Sequence, residues 1–139
     1  QIGVRESRMI EGEYVLTEAD CLAFRKFDDS IAVSNYEIDI HNPEGTGTSH
    51  YFFPDGKYFT IPYRSLIPKN VDNLLVAGRC ISSDHEAQAS YRIMPIVANI
   101  GEGAGVAIAL ASKQKISTKD VDVKELQNIL LSRNAFLGI

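Results

Sequence analysis

The sequence has little of several features that mark whole classes of protein. It contains no tryptophan, and its two cysteines, Cys21 and Cys80, are too few for a disulfide framework. Its 14 Lys and Arg residues are outnumbered by 18 Asp and Glu residues, which gives a formal net charge of −4. That balance argues against nucleic-acid binding and against a basic membrane patch. No uninterrupted apolar stretch reaches the ~18 residues that span a bilayer, so we expect no transmembrane segment.

The sequence also lacks an initial methionine and a signal-peptide pattern, because it begins Gln1-Ile2-Gly3. We therefore expect a fragment or a processed product of a longer protein. What is present is ordinary globular composition, with 45% hydrophobic and 23% charged residues. A chain of 139 residues is long enough to bury one hydrophobic core.

The first half of the chain carries strand and turn signals. Residues 4–16 are rich in β-branched and aromatic side chains and indicate a strand. Thr17, with Asp20 three residues later, predicts the start of a short helix. Residues 36–41 alternate apolar and polar side chains, as a half-buried strand does. Residues 54–56 (Pro-Asp-Gly) separate two aromatic runs, and this pattern predicts a β-hairpin.

The second half has a different pattern. The apolar run 73–77 ends at Gly78 and is typical of a strand buried on both faces. Ser83 and Glu86 form a capping-box pattern, and Pro95 either kinks a helix or opens a new one. Three helices are predicted, at residues 84–94, 96–112 and 122–133. Together the two halves predict an α+β fold, with mixed or antiparallel strands followed by a strand-helix-helix unit and a division into residues 1–66 and 67–139.

The junction after the predicted strand 73–77 is the most informative place for function. The crevice beyond the carboxyl end of such a strand is where α/β folds bind ligands, and a helix N-terminus there favours negative charge. The next helix contains Gly101, Gly103 and Gly105, which together cost about 3 kcal/mol relative to alanine. Close packing on a sheet and close approach of a flat ligand both explain such glycines, and the spacing alone leaves both open.

Four segments resemble one family, the FAD-dependent oxidoreductases related to the succinate dehydrogenase and fumarate reductase flavoproteins. They are residues 2–16 (IGVRESRMIEGEYVL), 39–43 (DIHNP), 61–68 (IPYRSLIP) and 73–111 (NLLVAGRCISSDHEAQASYRIMPIVANIGEGAGVAIALA). Together they cover nearly the whole chain and match the C-terminal part of these proteins. Some relatives carry the label putative xanthan lyase. This sequence differs by having Gly103 where the family usually has alanine.

The resemblance implies FAD as cofactor and assigns parts of its site. Gly78 and Arg79 match the turn beside the ribityl–pyrophosphate region. The helix that faces the flavin ring is matched by Pro95, Gly101, Gly103, Ala104 and Gly105. Residues 1–66 then correspond to a partial substrate-binding domain, and residues 67–139 to the C-terminal part of the FAD-binding domain with a terminal helix. The chain has no strand followed by G-x-G-x-x-G, so we expect the remainder of the FAD-binding domain as a partner and no activity in the chain alone.

Four side chains are candidates for catalysis or substrate binding. His85 and Arg92 lie seven residues apart on one predicted helix face, where they can point together into the crevice. Histidine suits acid–base work because imidazoles titrate near neutrality. His41 shares a strand face with Asp39, as a base and its orienting carboxylate would, and Arg64 suits a substrate carboxylate or a structural ion pair. No metal-ligand pattern is present.

We therefore expect the C-terminal part of a flavin-dependent oxidoreductase that transfers hydride between a small organic substrate and FAD. A non-catalytic binding or oligomerisation module, in which the small-sided helix packs on a partner chain or a second copy, is the alternative. A third reading is a polysaccharide (xanthan) lyase that uses His41 or His85 with Arg64.

Overall fold

The computed structural model describes residues 6–41 and 47–139. One short helix precedes four antiparallel strands, and three further α-helices follow them, which confirms the α+β class. The helices and strands are α1 (Glu18–Leu22), β1 (Ser30–Ser34), β2 (Ile38–His41), β3 (Thr48–Tyr51), β4 (Phe59–Pro62), α2 (His85–Tyr91), α3 (Met94–Gln114) and α4 (Val123–Ser132). Two short 3-10 helices, Tyr63–Leu66 and Thr118–Asp120, complete the elements.

The strands form two separate antiparallel pairs. β1 pairs with β4, and β2 pairs with β3 so that Asp39 lies opposite His50. The predicted hairpin across residues 54–56 is therefore wrong. The turn itself forms, since the Lys57 N–H donates to the Pro54 carbonyl at 3.0 Å, but it connects two sheets because β4 is buried beside β1. Register thus follows burial against the core rather than the turn signal.

One hydrophobic core takes side chains from both halves of the chain. β1, which pairs with β4, lies against α3 and α4, and the largest fully buried side chains include Tyr63, Tyr91 and Phe59. The Tyr63 hydroxyl donates to the Thr118 carbonyl at 2.7 Å, which ties the second 3-10 helix to the first. The division into residues 1–66 and 67–139 stays a prediction.

The helix starts follow local capping chemistry, with one correction. Thr17 and Asp20 form the predicted capping box of α1. The N-cap of α2 is Asp84 and not Ser83, because the Asp84 carboxylate accepts from the Ala87 N–H at 2.8 Å. The Ser83 hydroxyl instead contacts the Tyr91 hydroxyl at 3.0 Å. Helix α4 is capped by Asp122, the first residue of the predicted helix 122–133, and α3 begins at Met94 with a proline in its first turn.

Two segments predicted as strands are not strands in the structure. The described part of residues 4–16 contributes only isolated bridges, Gly12 with Pro68 and Leu16 with Ser83. Residues 73–77 belong to no helix or strand and are half-exposed or exposed, and Leu74 is 44% exposed. Their apolar pattern suits a strand inside a sheet, but no strand of the described chain lies beside them to complete one.

Helix α3 bears on the expectation that the chain has no transmembrane segment, which stays a prediction. Within the ranges described, Met94–Gln114 is long and apolar enough to cross a membrane, judged by length and composition alone. The sequence reading missed it because Glu102 interrupts the apolar run. Core helices of globular proteins pass the same test, and α3 packs on β1 and α4.

Candidate functional site

A cleft opens where α2 ends and α3 begins. Arg92 is the C-cap of α2, and Ile93, the next residue, is the N-cap of α3. The cleft has a volume of about 400 Å³, and its lining includes Tyr36, Asp39, Arg79, Arg92, Met94 and Pro95. We call it the arginine cleft. It brings together three residues that the sequence placed in the site, namely Arg79, Arg92 and Pro95.

Arg92 and Asp39 form a buried ion pair in the wall of the arginine cleft. The Arg92 Nη2 donates to the Asp39 carbonyl at 2.9 Å and to its Oδ2 at 3.0 Å, while Nε donates to the Ala89 carbonyl at 3.3 Å. The two residues are 8% and 9% exposed. The Asp39 Oδ1 has no hydrogen-bond partner among the described residues. The cleft wall therefore contains a guanidinium held in place beside a buried carboxylate, one oxygen of which has no hydrogen bond within the described ranges.

Two histidines lie beside Asp39 and face solvent. His41 Nε2 is 3.6 Å from Asp39 Oδ2, and His50 Nδ1 is 3.8 Å from Asp39 Oδ1. His50 also bonds the Glu37 carboxylate at 2.9 Å. These imidazoles are too far from Asp39 for direct hydrogen bonds, but a small rotation or one bridging water would close the gap. The two imidazoles thus lie between the Asp39 carboxylate and solvent.

The outer part of the cleft is rich in donors. Arg79 Nε donates to the Arg92 carbonyl at 2.8 Å, and in the described ranges its two terminal nitrogens have no partner. No side chain caps the N-terminus of α3, where Ile93 is the N-cap. The preceding Gly78 has φ +103°, a conformation that L side chains rarely adopt. A cation and an uncapped helix start together favour a ligand that carries negative charge.

His85 and Arg64 do not reach this cleft. His85 Nδ1 lies 2.6 Å from the Glu6 carboxylate, and its ring is half-exposed. Arg64 makes a bidentate pair with Asp29, with Nε to Oδ2 at 2.9 Å and Nη2 to Oδ1 at 3.2 Å, and this hydrogen bonding raises the pKa of the guanidinium. Of the two interpretations of Arg64, the structure favours the structural ion pair.

A second cleft, of about 270 Å³, lies on the other side of the first turn of α3. Its lining includes Val33, Asn35, Tyr58, Pro95, Ile96 and Phe136, and we call it the aromatic cleft. Tyr58 and Phe136 meet edge to face, with ring centroids 5.4 Å apart. Sequence reasoning missed this cleft and His50, because their residues come from segments that only the tertiary fold brings together.

The helical glycines separate into two kinds. A Cβ at Gly103 would lie 3.0 Å from the Ile31 side chain, so close packing on β1 explains that glycine. A Cβ at Gly101 or Gly105 would meet nothing within 4 Å. These two belong to the open face of α3, which consists of Met94, Ala98, Gly101, Gly105, Ile108 and Ala109, all of them exposed. Packing within the described chain does not account for glycine at 101 and 105.

Comparison with protein families decides the general class. The model of the FAD dependent oxidoreductase family matches residues 1–130. The chain belongs to the FAD dependent oxidoreductase family. Neither the search of curated proteins nor the search of solved structures found a match.

Family membership implies FAD, and the residues at the cleft fit this cofactor. A reduced flavin carries negative charge along its pyrimidine edge, and the free nitrogens of Arg79 and the uncapped start of α3 are complementary to it. The open space over Gly101 and Gly105 leaves room for a group to lie directly on the helix backbone.

Proposed function

We propose that this chain supplies the substrate side of a flavin site in a protein that transfers hydride between a small organic substrate and FAD. The proposal rests on two glycines of α3, Gly101 and Gly105, because no contact within the described chain requires a glycine at either position. Gly101 and Gly105 each cost about 1 kcal/mol in a helix, yet the space above them is empty. A cofactor or a chain segment lying on the open face of α3 would explain both.

Each residue of the arginine cleft has its own role in the proposed reaction. When bound, FAD supplies the acceptor or donor of the hydride at N5. Arg79 and the start of α3 stabilise negative charge on the pyrimidine edge. Arg92, held in place by Asp39, keeps Nη1 available to orient a substrate. Asp39 accepts or returns the substrate proton, and His41 and His50 exchange it with solvent.

The remainder of the FAD-binding domain is the partner that this proposal requires. The half-exposed apolar residues 73–77 suit a strand with neighbours on both sides, and the open face of α3 is apolar and small-sided. A strand and glycine-rich turn supplied by that remainder would bind the pyrophosphate. The 139-residue chain by itself is then inactive, and FAD binds tightly only to the longer protein.

A substitution on the open face tests the proposal. The longer protein that contains this chain is purified as wild type, Gly105→Leu and Asn128→Leu, and bound FAD is measured by absorbance. We expect Gly105→Leu to reduce bound FAD at least tenfold, because the side chain fills the space reserved for the covering group. Asn128→Leu places the same side chain at an exposed position of α4 and should retain FAD. Equal FAD in all three proteins would refute the proposal.

A non-catalytic module that associates with itself is the second candidate, and the same open face favours it. Small residues permit close helix packing, so a second copy is a possible cover. Gel filtration of the chain with and without FAD separates the two candidates, since a stable colourless dimer supports the module. The lyase alternative loses one of its proposed groups, because Arg64 pairs with Asp29 and with neither histidine.

A further inference from the structure

The aromatic cleft differs from the arginine cleft in the charge of its lining. None of the described residues that line it is an acid, a lysine, an arginine or a histidine. Lys26 lies behind the cleft wall, where its Nζ is 2.9 Å from the centroid of the Tyr58 ring and donates to the Tyr58 carbonyl. A charged ligand group would lose water in this cleft without gaining an opposite charge, and that costs free energy. The lining therefore favours an uncharged ligand.

Two side-chain carboxamides supply polar groups to this apolar cleft. Asn35 follows the last residue of β1, and Asn99 lies just over one turn into α3. Both line the cleft, and within the described ranges neither side chain makes a hydrogen bond. Each carboxamide can both donate and accept, so a ligand that carries a carboxamide matches them with its own donor and acceptor.

The aromatic wall of the cleft is held in place by the residues beside Phe136. Leu137 is 1% exposed, and its carbonyl accepts from the Ser30 hydroxyl at 2.7 Å. Gly138 has φ +70°, and a Cβ there would lie 2.6 Å from Cε2 of Tyr58. Residues 137 and 138 are thus fixed against the core and against the Tyr58 ring. The surface that Phe136 and Tyr58 form together is therefore present before any ligand binds.

The size of the cleft and its exposed ring indicate the shape of the ligand. Its volume of about 270 Å³ falls just below the ~300–1,000 Å³ that is usual for drug-sized ligands, which suits a compound with one ring. The Phe136 ring is 66% exposed at the cleft. An exposed aromatic surface at a cavity is typical of a binding site, and aromatic rings pack favourably on one another.

We propose that the aromatic cleft is a second small-molecule site, which binds one uncharged aromatic ring carrying a carboxamide group. The ring lies on the wall formed by Tyr58 and Phe136, and the carboxamide bonds to Asn35 and Asn99. Of the described residues, only Pro95 lines both clefts. This site uses neither Arg79 nor the open face of α3, so it goes beyond the proposed flavin role and does not depend on it.

Three probes of similar size test the charge and the flatness of the ligand. Benzamide, benzoate and cyclohexanecarboxamide are titrated into the 139-residue chain, and NMR follows the side-chain amide signals of Asn35 and Asn99. We expect benzamide to shift both signals. It should bind about tenfold more tightly than benzoate and about threefold more tightly than cyclohexanecarboxamide. Equal binding of benzamide and either other probe, or no shift at the two asparagines, would overturn the proposal.

An asparagine variant and its matched control test the role of the carboxamides. Asn99→Leu keeps the approximate size of the side chain but removes its donor and acceptor, and it should weaken benzamide binding about fivefold. Asn128→Leu makes the same change at an exposed position of α4 outside the cleft and should leave binding unchanged. Equal affinities in the two variants would contradict the assignment.

A phenylalanine variant tests the wall in the same way. Phe136→Ala should weaken benzamide binding about fivefold, because the ring of the ligand loses the surface on which it packs. Phe52→Ala removes a phenylalanine of similar exposure (72%) outside the cleft and should bind benzamide as the wild type does. Unchanged binding in Phe136→Ala, or an equal loss in Phe52→Ala, would overturn the proposed position of the ring.

Discussion

The two sides of α3 present a contrast. On the side that faces β1 and α4, small side chains match large neighbours, and Gly103 leaves the space that Ile31 occupies. On the open face, Gly101 and Gly105 have no neighbour in the described chain, and large side chains such as Met94 are exposed. The first side is determined by folding of the chain itself. The second has features that folding of these residues does not explain, and we attribute them to binding.

The two arginine–aspartate pairs repeat this contrast. Arg64 and Asp29 form a bidentate pair at the edge of the core, with the arginine side chain half-exposed. Arg92 and Asp39 form a buried pair beside a cleft, and one carboxylate oxygen remains without a hydrogen bond among the described residues. The same residue types therefore have different surroundings, and the second pair lines the arginine cleft.

The largest expected effect is the loss of folding stability when the arginine of each pair is replaced by leucine, and the loss should differ between the two pairs. Arg92→Leu should destabilise the chain by about 3–5 kcal/mol, because it leaves the Asp39 carboxylate buried and unpaired. Arg64→Leu should cost about 1–2 kcal/mol, since water reaches the half-exposed site. Urea unfolding of the two variants measures the difference.

A second substitution checks the reason for that difference. Adding Asp39→Asn to Arg92→Leu removes the unpaired charge and should restore part of the lost stability. If Arg64→Leu proves as costly as Arg92→Leu, or if Asp39→Asn gives no recovery, burial does not distinguish the pairs as we argue.

The effect of intermediate size is the loss of folding stability at high pH, and it concerns the buried residue Tyr63. Burial raises the pKa of Tyr63 to about 12 from its usual value of 10.0, and burial also raises the pKa of Tyr91. The neutral phenol of Tyr63 therefore favours folding by about 2–3 kcal/mol. This stability is fully present below about pH 10 and is lost as the pH rises through about 12.

Tyr63→Phe isolates that contribution. The variant loses the hydrogen bond to Thr118 and about 1 kcal/mol near neutrality, but it should lose less stability than wild type as the pH rises. Urea midpoints at about pH 8 and about pH 11 measure the two slopes. Equal slopes for the two proteins would show that Tyr63 does not cause the alkaline loss.

The smallest expected effect is a change in folding stability when a glycine of α3 is replaced by alanine. Its sign should differ between the two sides of the helix. Gly103→Ala should destabilise the chain, because its Cβ would press on Ile31 at 3.0 Å. Gly105→Ala should stabilise the chain by up to about 1 kcal/mol, because the added Cβ meets open space. Thermal unfolding of the 139-residue chain gives both values. Stabilisation by Gly103→Ala, or destabilisation by Gly105→Ala, would remove the distinction between the side of α3 that packs on β1 and its open face.

Local signals in the sequence predicted local structure well. The capping chemistry of Thr17 and Asp122 and the break at Pro95 place three helix starts, because capping involves residues close in sequence. The α+β class also followed from the patterns. The hairpin at residues 54–56 failed because the partners of β3 and β4 were chosen by burial elsewhere in the chain.

Three residues that the sequence analysis singled out share one cleft, and their role at a functional site stays a prediction. Arg92, Arg79 and Pro95 do line one cleft, since they surround a single helix junction. The pairing of Arg92 with Asp39 joins residues 53 positions apart, and no local pattern encodes it. His85 was favoured for its residue type, but its neighbour is Glu6 and it lies outside the cleft lining.

Hydrogen–deuterium exchange tests the central claim most directly, by comparing the 139-residue chain alone with the same residues in the longer, FAD-loaded protein that we propose. We predict a strong increase in protection at residues 73–79 and in the first turns of α3, with little change in α4. Bound FAD with unchanged exchange at these residues would contradict the account, because the cofactor would then lie elsewhere.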